Sequence, residues 1–314
     1  MRVLVTGANG YLGGAVCRAL RDSGHTVIGS VHRGRSLAPA DLPMRAADLR
    51  DVAALTHALH GIDAVCHLAG LTRARDSHTE PLRYFEVNAG GTVALLRAME
   101  AVGVRHLVFA STAAIYGTPD RQPIDEDLPD DPPHPYAASK LAAEAAITAQ
   151  AATGTLSAVI LRLFNIVGGS NADDGGIVPR LLAVAAGELH RLPINGDGTA
   201  VRDYLHVDDA AQAFAAALTR LPDPGVSRRY NIGSGIGTSV NELVAATSRI
   251  TGNAVAVRHR PAATEPRRLV CDNTRARNEL NWTATSSDID TIIGRAWAAK
   301  DPKTRPIPDT PGKM

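Results

Sequence analysis

The chain opens on a short unbroken apolar run inside RVLVTG, followed by YLGGAVCRALRDSG, where apolar residues recur at three- and four-residue steps up to Gly24. The first pattern is that of a strand buried on both faces, and the second that of a helix closed by glycine. The alternation continues with HTVIGSV and MRAADL as strands, DVAALTHALHG as helix, DAVCHLAG as strand and LRYFEVNAGGTVALLRAMEAVG as helix. HLVFAST then reads as strand, a helix starts near Tyr136, and LSAVILRLFN reads as strand. Wholly apolar strands alternating with helices predict an α/β fold, a doubly wound parallel sheet of Rossmann type.

The rhythm changes after Asn165. Glycine and aspartate crowd VGGSNADDGG, a helix IVPRLLAVAAGE and a strand HRLPING follow, and short mixed elements continue to about residue 299. This pattern predicts a dinucleotide-binding domain over 1–165 and a second, smaller α/β substrate domain over 166–300, with the segment from about 204 to 232 returning to the first. The polar end, 301–314, has too little apolar surface to bury and reads as a flexible tail.

Composition narrows the class. With 45% apolar and 21% charged residues and a formal charge of +1, nothing predicts a nucleic-acid or membrane partner. Cys17, Cys66 and Cys271 are an odd, scattered set that predicts neither disulfides nor a metal site, which fits a cytoplasmic protein. The start, MRVLVTG, is too short an apolar run for a signal segment or a membrane span.

The first candidate chemistry is TGANGYLG, with Gly7, Gly10 and Gly13 at three-residue steps between strand and helix. Glycine there permits the turn, lets the N–H groups of Tyr11, Leu12 and Gly13 face a pyrophosphate, and brings the helix close to the sheet. A glycine-rich turn without a ligand is the plain alternative. Which dinucleotide fits depends on the end of the second strand, where an acidic residue favours NAD and cations favour the 2′-phosphate of NADP. SVHRGRS offers His32, Arg33 and Arg35 and no carboxylate, so the reading is NADP or NAD with the balance towards NADP, unless the arginines are only solvated surface charges. Asp48 ends the third strand, either against the adenine or as a helix cap.

The second candidate is the seam PHPYAASK, where Tyr136 stands four residues before Lys140 and shares a helix face with it. Such a pair is frequent by chance and gains weight only from its company. That company is ASTAAIYG at the end of the preceding strand, with VNAGGT and RDYLHVDD. Together with the glycine loop, these motifs resemble the extended short-chain dehydrogenases/reductases, in their sugar-nucleotide epimerase/dehydratase branch, over residues 1 to about 299.

The resemblance implies residue roles. Gly7, Gly10 and Gly13 match the cofactor loop, Asp48 and Leu49 the adenine contacts, Leu68, Ala69 and Gly70 the wall after the fourth strand, and Asn88 the asparagine of the long helix. Thr112 matches the catalytic Ser/Thr, Tyr136 the acid/base and Lys140 its partner, while strand alternation turns Ser111 the other way. A phenol is a poor base at neutral pH, so an ammonium one turn away would favour the phenolate. Asn165 and Arg202 match residues that position the substrate and its diphosphate, with pairing of Arg202 to Asp203, Asp208 or Asp209 as the alternative. The implied partner is a nucleotide-linked sugar, and the implied assembly a homodimer through the helices carrying Asn88 and Tyr136.

Some positions depart from the branch. Gly176 replaces an asparagine, Thr72 a lysine, and Ala262 a second phosphate-binding arginine, for which Arg258, Arg260 or Arg267 could substitute. Ala113 and Ala114 stand where dehydratases carry an Asp-Glu pair, and neither has a group to move a proton. The first expectation is epimerisation of a nucleotide-activated sugar by hydride transfer at a carbinol carbon. Net NADPH-dependent reduction of a keto-sugar or natural-product intermediate is the alternative, and a non-catalytic dinucleotide sensor the third reading.

Overall fold

The structure is a computed structural model that describes residues 1–32, 39, 41–169, 176–262 and 266–300. The strands are β1 (Arg2–Thr6), β2 (Thr26–Val31), β3 (Met44–Ala46), β4 (Ala64–His67), β5 (His106–Thr112), β6 (Ser157–Leu163), β7 (Asn165–Val167), β8 (Leu192–Asn195), β9 (Val201–His206), β10 (Ser227–Ile232), β11 (Gly237–Ser239), β12 (Val257–Arg260) and β13 (Arg268–Leu269). The helices are α1 (Tyr11–Asp22), α2 (Val52–Ala58), α3 (Ala74–Ser77), α4 (Pro81–Tyr84), α5 (Gly91–Val102), α6 (Pro135–Gln150), α7 (Ile177–Ala185), α8 (Val207–Thr219), α9 (Val240–Thr251), α10 (Thr274–Leu280) and α11 (Ile289–Lys300).

Among the described residues, one seven-stranded sheet runs in the order β3-β2-β1-β4-β5-β6-β10. Every pairing in it is parallel. Val3 and Val5 pack with Val16 and Leu20 of α1 and Phe214 of α8. Leu4 and Val65 point to the other face, against Leu55 of α2, Leu95 of α5 and Ile147 of α6. This alternation explains why the strands carry no polar face: helices cover both sides. Strand order reverses between β1 and β4, which opens a crevice at the C-terminal strand ends.

The remaining strands build a smaller unit. A second sheet centres on β9, which pairs with β7, β11 and β13, while β8 and β12 form a separate parallel pair. Its core joins Leu181 of α7, Leu243 of α9 and Ile292 of α11. The segment VRDYLHVDDAAQAFAAAL divides at His206: its strand belongs to the second sheet, and its helix packs on α1. The strand read over MRAADL is paired only across Met44–Ala46, at the sheet edge. The long helix read from Leu82 to Gly103 is a short α-helix, a wide π turn over Phe85–Gly90, and α5.

Candidate active site

The base of the crevice is set by glycines. Gly7 adopts φ +71°, and a Cβ there would come within 2.9 Å of the Ala69 backbone. At Gly13 a Cβ would lie 2.0 Å from the Gly7 carbonyl oxygen, so α1 can approach this loop only without a side chain. Gly10 caps α1 and brings no side-chain acceptor, which leaves the first-turn N–H groups facing the crevice. The cavity, about 990 Å³, is lined by Gly7, Gly10, Tyr11, Leu12 and Gly13 at its base. His32, Asp48 and Leu49 line one end, Leu68, Ala69 and Gly70 the middle, and Thr112, Tyr136, Lys140 and Asn165 the other end. A bare helix N-terminus in a long cleft of this volume fits an extended ligand with a central anion.

At the β2–β3 end, Arg50 binds Asp48 through Nη2 at 2.8 Å and Nε at 3.1 Å, and reaches Glu86 at 3.1 Å. These hydrogen bonds hold the Asp48 carboxyl well below the usual carboxylate range. His32 Nε2 lies 3.5 Å from the same carboxylate. Asp48 is not the helix cap: Asp51 is, accepting from the Ala54 N–H at 3.0 Å. Arg33 and Arg35, on which the NADP reading rests, lie outside the described residues.

A polar chain supports the wall after β4. Thr92 donates to the Asn88 carbonyl at 2.6 Å, so its oxygen must accept from His67 Nε2 at 3.1 Å. His67 Nδ1 is therefore an acceptor, taking the Thr6 hydroxyl at 2.7 Å, and Thr6 Oγ1 accepts in turn from the Leu68 and Ala69 N–H groups. Burial pushes the His67 imidazole down to about 3, with Lys140 adding repulsion, so the ring is neutral. Asn88 does not join the cavity lining. Its Oδ1 accepts from the Leu71 N–H at 2.8 Å, and its Nδ2 donates to the Leu71 carbonyl at 3.0 Å and to Ser139 Oγ at 2.9 Å. It braces the cleft wall and α6 from one layer behind. His67 had no role in the sequence reading; its one signal was an ionisable residue within an apolar strand.

Thr112 ends β5, and its Oγ1 accepts from the Ala114 N–H at 3.2 Å where the chain turns away. Opposite it, α6 begins with Pro135 in its first turn and carries Tyr136 and Lys140 on one face. Burial holds the Tyr136 phenol above its ordinary range, and a hydrogen bond from Thr112 pulls it down. Lys140 is buried, and burial lowers its ammonium to about 8, opposed by Glu144. Its Nζ donates to the Ala110 carbonyl at 2.9 Å and lies 4.6 Å over the Phe109 ring. In the structure the Lys140 ammonium donates to the strand carbonyl, and Thr112 is the contact that lowers the phenol.

Ser111 points away from Thr112, as alternation requires, and its hydroxyl donates to Glu144. Glu144 belongs to a buried network with Arg162 that the sequence reading missed. At the far end, Asn165 Nδ2 donates to the Asp203 carbonyl at 3.4 Å, and pairing of β7 with β9 sets Asn165 opposite Tyr204. Arg202 is half-buried on β9, outside the cavity lining, with one N–H on the Val201 carbonyl at 2.9 Å. The Asp203 carboxylate instead accepts from the N–H groups of Ser234, Gly235 and Cys271, and that of Asp209 from those of Thr285 and Ser286. Arg258, Arg260 and Arg267 do not line the cavity either. The three cysteines are free and buried.

Comparison with known proteins agrees with this geometry. The model of a family described as the NAD dependent epimerase/dehydratase family matches residues 3–233. The chain is 38% identical over 314 residues to a UDP-glucose 4-epimerase of Corynebacterium glutamicum, covering 95% of both chains. It is 36% identical to one of Streptomyces lividans, covering 94% of this chain and 95% of that one. A crystal structure of UDP-glucose-4-epimerase from Stenotrophomonas maltophila, with bound NAD and formylated UDP-arabinopyranose, superposes with a TM-score of 0.89 at 35% identity, covering 96% of this chain and 98% of that one.

Proposed function

The chain belongs to the NAD dependent epimerase/dehydratase family, and from that premise we propose that it epimerises a UDP-activated sugar at a carbinol carbon, using NAD. One observation carries the reading: Thr112, Tyr136 and Lys140 converge at one end of a cavity whose base is a glycine-lined helix N-terminus.

Bound in that cavity, the dinucleotide supplies a hydride acceptor that becomes a donor. The chain's own residues do the rest. The N–H groups of Tyr11, Leu12 and Gly13 hold the pyrophosphate. Tyr136 takes the proton from the carbinol oxygen and returns it, while Thr112 hydrogen-bonds that oxygen and orients the phenol. Lys140, fixed by the Ala110 carbonyl, presents its remaining N–H donors to the nicotinamide ribose. Asn165 lies on the substrate side of the cavity, and we assign Arg202 to the diphosphate, reached by a side-chain swing from the adjacent strand. Return of the hydride to the opposite face of a keto-sugar that has turned over in the cleft, with the proton returned to its oxygen, would invert the carbinol carbon and leave the cofactor unchanged, which suits epimerisation.

The nicotinamide cofactor we assign as NAD rather than the NADP favoured by SVHRGRS. Asp48 stays anionic at the adenosine end, and Arg50 there is shared between Asp48 and Glu86, so these three described groups leave a net negative charge that a 2′-phosphate would meet. The Stenotrophomonas structure holds NAD. We assign a homodimer from the exposure of Leu82, Phe85 and Val93 along the α4–α5 edge, which a partner copy would cover. No described helix is long and apolar enough to cross a membrane.

A panel of UDP- and dTDP-sugars, with added NAD or NADPH, tests the assignment. Interconversion of two stereoisomers with no net change in absorbance of the reduced cofactor supports epimerisation. Stoichiometric loss of NADPH absorbance overturns it in favour of net reduction.

A further inference from the structure

The N-cap of α6 is His134, two residues before the phenol on which the proposed reaction depends. Its backbone is extended, φ −155° and ψ 160°, and its Nδ1 accepts from the Ala137 N–H at 3.1 Å. A capping nitrogen must offer a lone pair, so the proton of this imidazole sits on Nε2 and the ring is neutral. The same ring lies nearly parallel to that of Tyr136, 19° between planes and 5.8 Å between centroids. Tyr84 meets Tyr136 edge-on at 6.3 Å and 79°. The Tyr136 ring is thus held between an imidazole face and a phenol edge.

We propose that His134 is a positioning residue for Tyr136: as a neutral ring it caps α6 and stacks on the phenol, keeping it directed at Thr112, and protonation of His134 releases that hold. Protonation would place an N–H on Nδ1 against the Ala137 N–H, so the cap is lost and replaced by repulsion.

The surrounding charges do not favour that protonation. His78, at the end of α3, meets His134 edge-on at 6.2 Å and 77°. Glu80, which caps α4, is engaged by Arg83 at 2.9 Å, and Asp76 of α3 bears on Tyr84. In the loop leading into α6, Asp130 is bound to Arg162 at 2.6 Å. Burial and His78 together lower the His134 imidazole from its ordinary value. The neutral cap therefore persists at neutral pH and fails only in acid.

The inference rests on Tyr136 as the acid/base of the proposed epimerase, and two variants divide the roles of the ring. His134→Asn keeps a capping acceptor without a titrating group, and His134→Phe keeps an aromatic face without a cap. In sugar epimerisation followed from about pH 5 to 9, the wild type should show an acid limb in kcat that His134→Asn lacks. His134→Phe should lose about tenfold in kcat at pH 8 with KM nearly unchanged, the scale of a lost cap expressed at the reacting group. An acid limb retained in His134→Asn, or wild-type kcat in His134→Phe, overturns the proposal.

Histidine and tyrosine ring NMR of the cofactor-loaded protein needs no substrate and separates this proposal from the functional reading. The Tyr136 ring signals should shift with the titration of His134 in the wild type and not in His134→Asn. Independence of the two rings overturns the positioning role even if epimerisation is observed. Coupled rings in a protein that turns over no sugar in the panel would sustain the proposal and count against the function instead.

Discussion

Arg162 and Glu144 close a two-point ion pair away from solvent, with Nε to Oε1 at 3.0 Å and Nη2 to Oε2 at 2.7 Å. Arg162 also binds Asp130 at 2.6 Å and stacks its guanidinium 4.7 Å over Tyr116. Glu144 takes the Ser111 hydroxyl as well. The pair therefore ties β6 to α6, to the end of β5 beside Thr112, and to the loop that precedes His134.

Arg162→Met should be strongly destabilising, because it leaves the buried Glu144 carboxylate with only the more distant Arg229, 3.5 Å away, as an ion-pair partner. Losing one partner of such a pair costs about 3–5 kcal/mol, whereas replacing both by apolar residues can be close to neutral. Urea denaturation of Arg162→Met, Glu144→Leu and the double variant should show the double variant less destabilised than the sum. Simple additivity would mean that the pair is not coupled.

His67 makes the fold sensitive to acid. Its folded value is pushed down to about 3, while an unfolded histidine titrates near ~6.5, so the unfolded state binds more protons between those values. Its contribution is complete above the unfolded value and is lost as pH falls through that window, at roughly 1 kcal/mol per pH unit. Thermal or urea unfolding at pH 7 and pH 5 should show this loss in the wild type, and His67→Gln should be flatter across the same range. An equal slope in both proteins would remove His67 from the account.

The features legible in the sequence are those whose partners lie close along the chain. The glycine loop, the Tyr136–Lys140 face and Thr112 at the end of its strand each depend on spacings within one turn or one strand. The rest depends on which strands become neighbours. Nothing local tells that Ser111 faces Glu144, that Arg162 reaches them from β6, or that His67 is held between Thr6 and Thr92. Asn88 carried a recognisable motif, yet nothing local tells that its amide bridges Leu71 and Ser139. His206 marks the end of the second-sheet strand, a boundary that hydropathy does not register: Leu205 before it and Val207 after it are both buried in the same core.

Tyr136→Phe separates chemistry from binding. The phenyl ring keeps the contacts with His134 and Tyr84, so the fold and cofactor affinity should be nearly unchanged. Removing a positioned acid/base costs on the order of 10²–10⁴ in rate. Turnover of the epimerised sugar should fall by that factor while dinucleotide binding, followed by fluorescence titration, holds. Near-normal turnover would remove Tyr136 from the reaction.

Lys140 sets the alkaline side of the activity. Burial lowers its ammonium to about 8, and Glu144 one turn further along α6 opposes that drop. The ammonium is the form that donates to the Ala110 carbonyl and to a ribose hydroxyl, so activity should decline as pH rises through the Lys140 value. Glu144→Gln removes the charge that favours the ammonium, which lowers the Lys140 value further and moves this decline to lower pH. Profiles of kcat/KM in the wild type and Glu144→Gln, with circular dichroism confirming that the variant is folded, would measure the displacement. A decline that stays in place, or moves to higher pH, would mean that Glu144 acts through packing alone and that another group controls the alkaline limb.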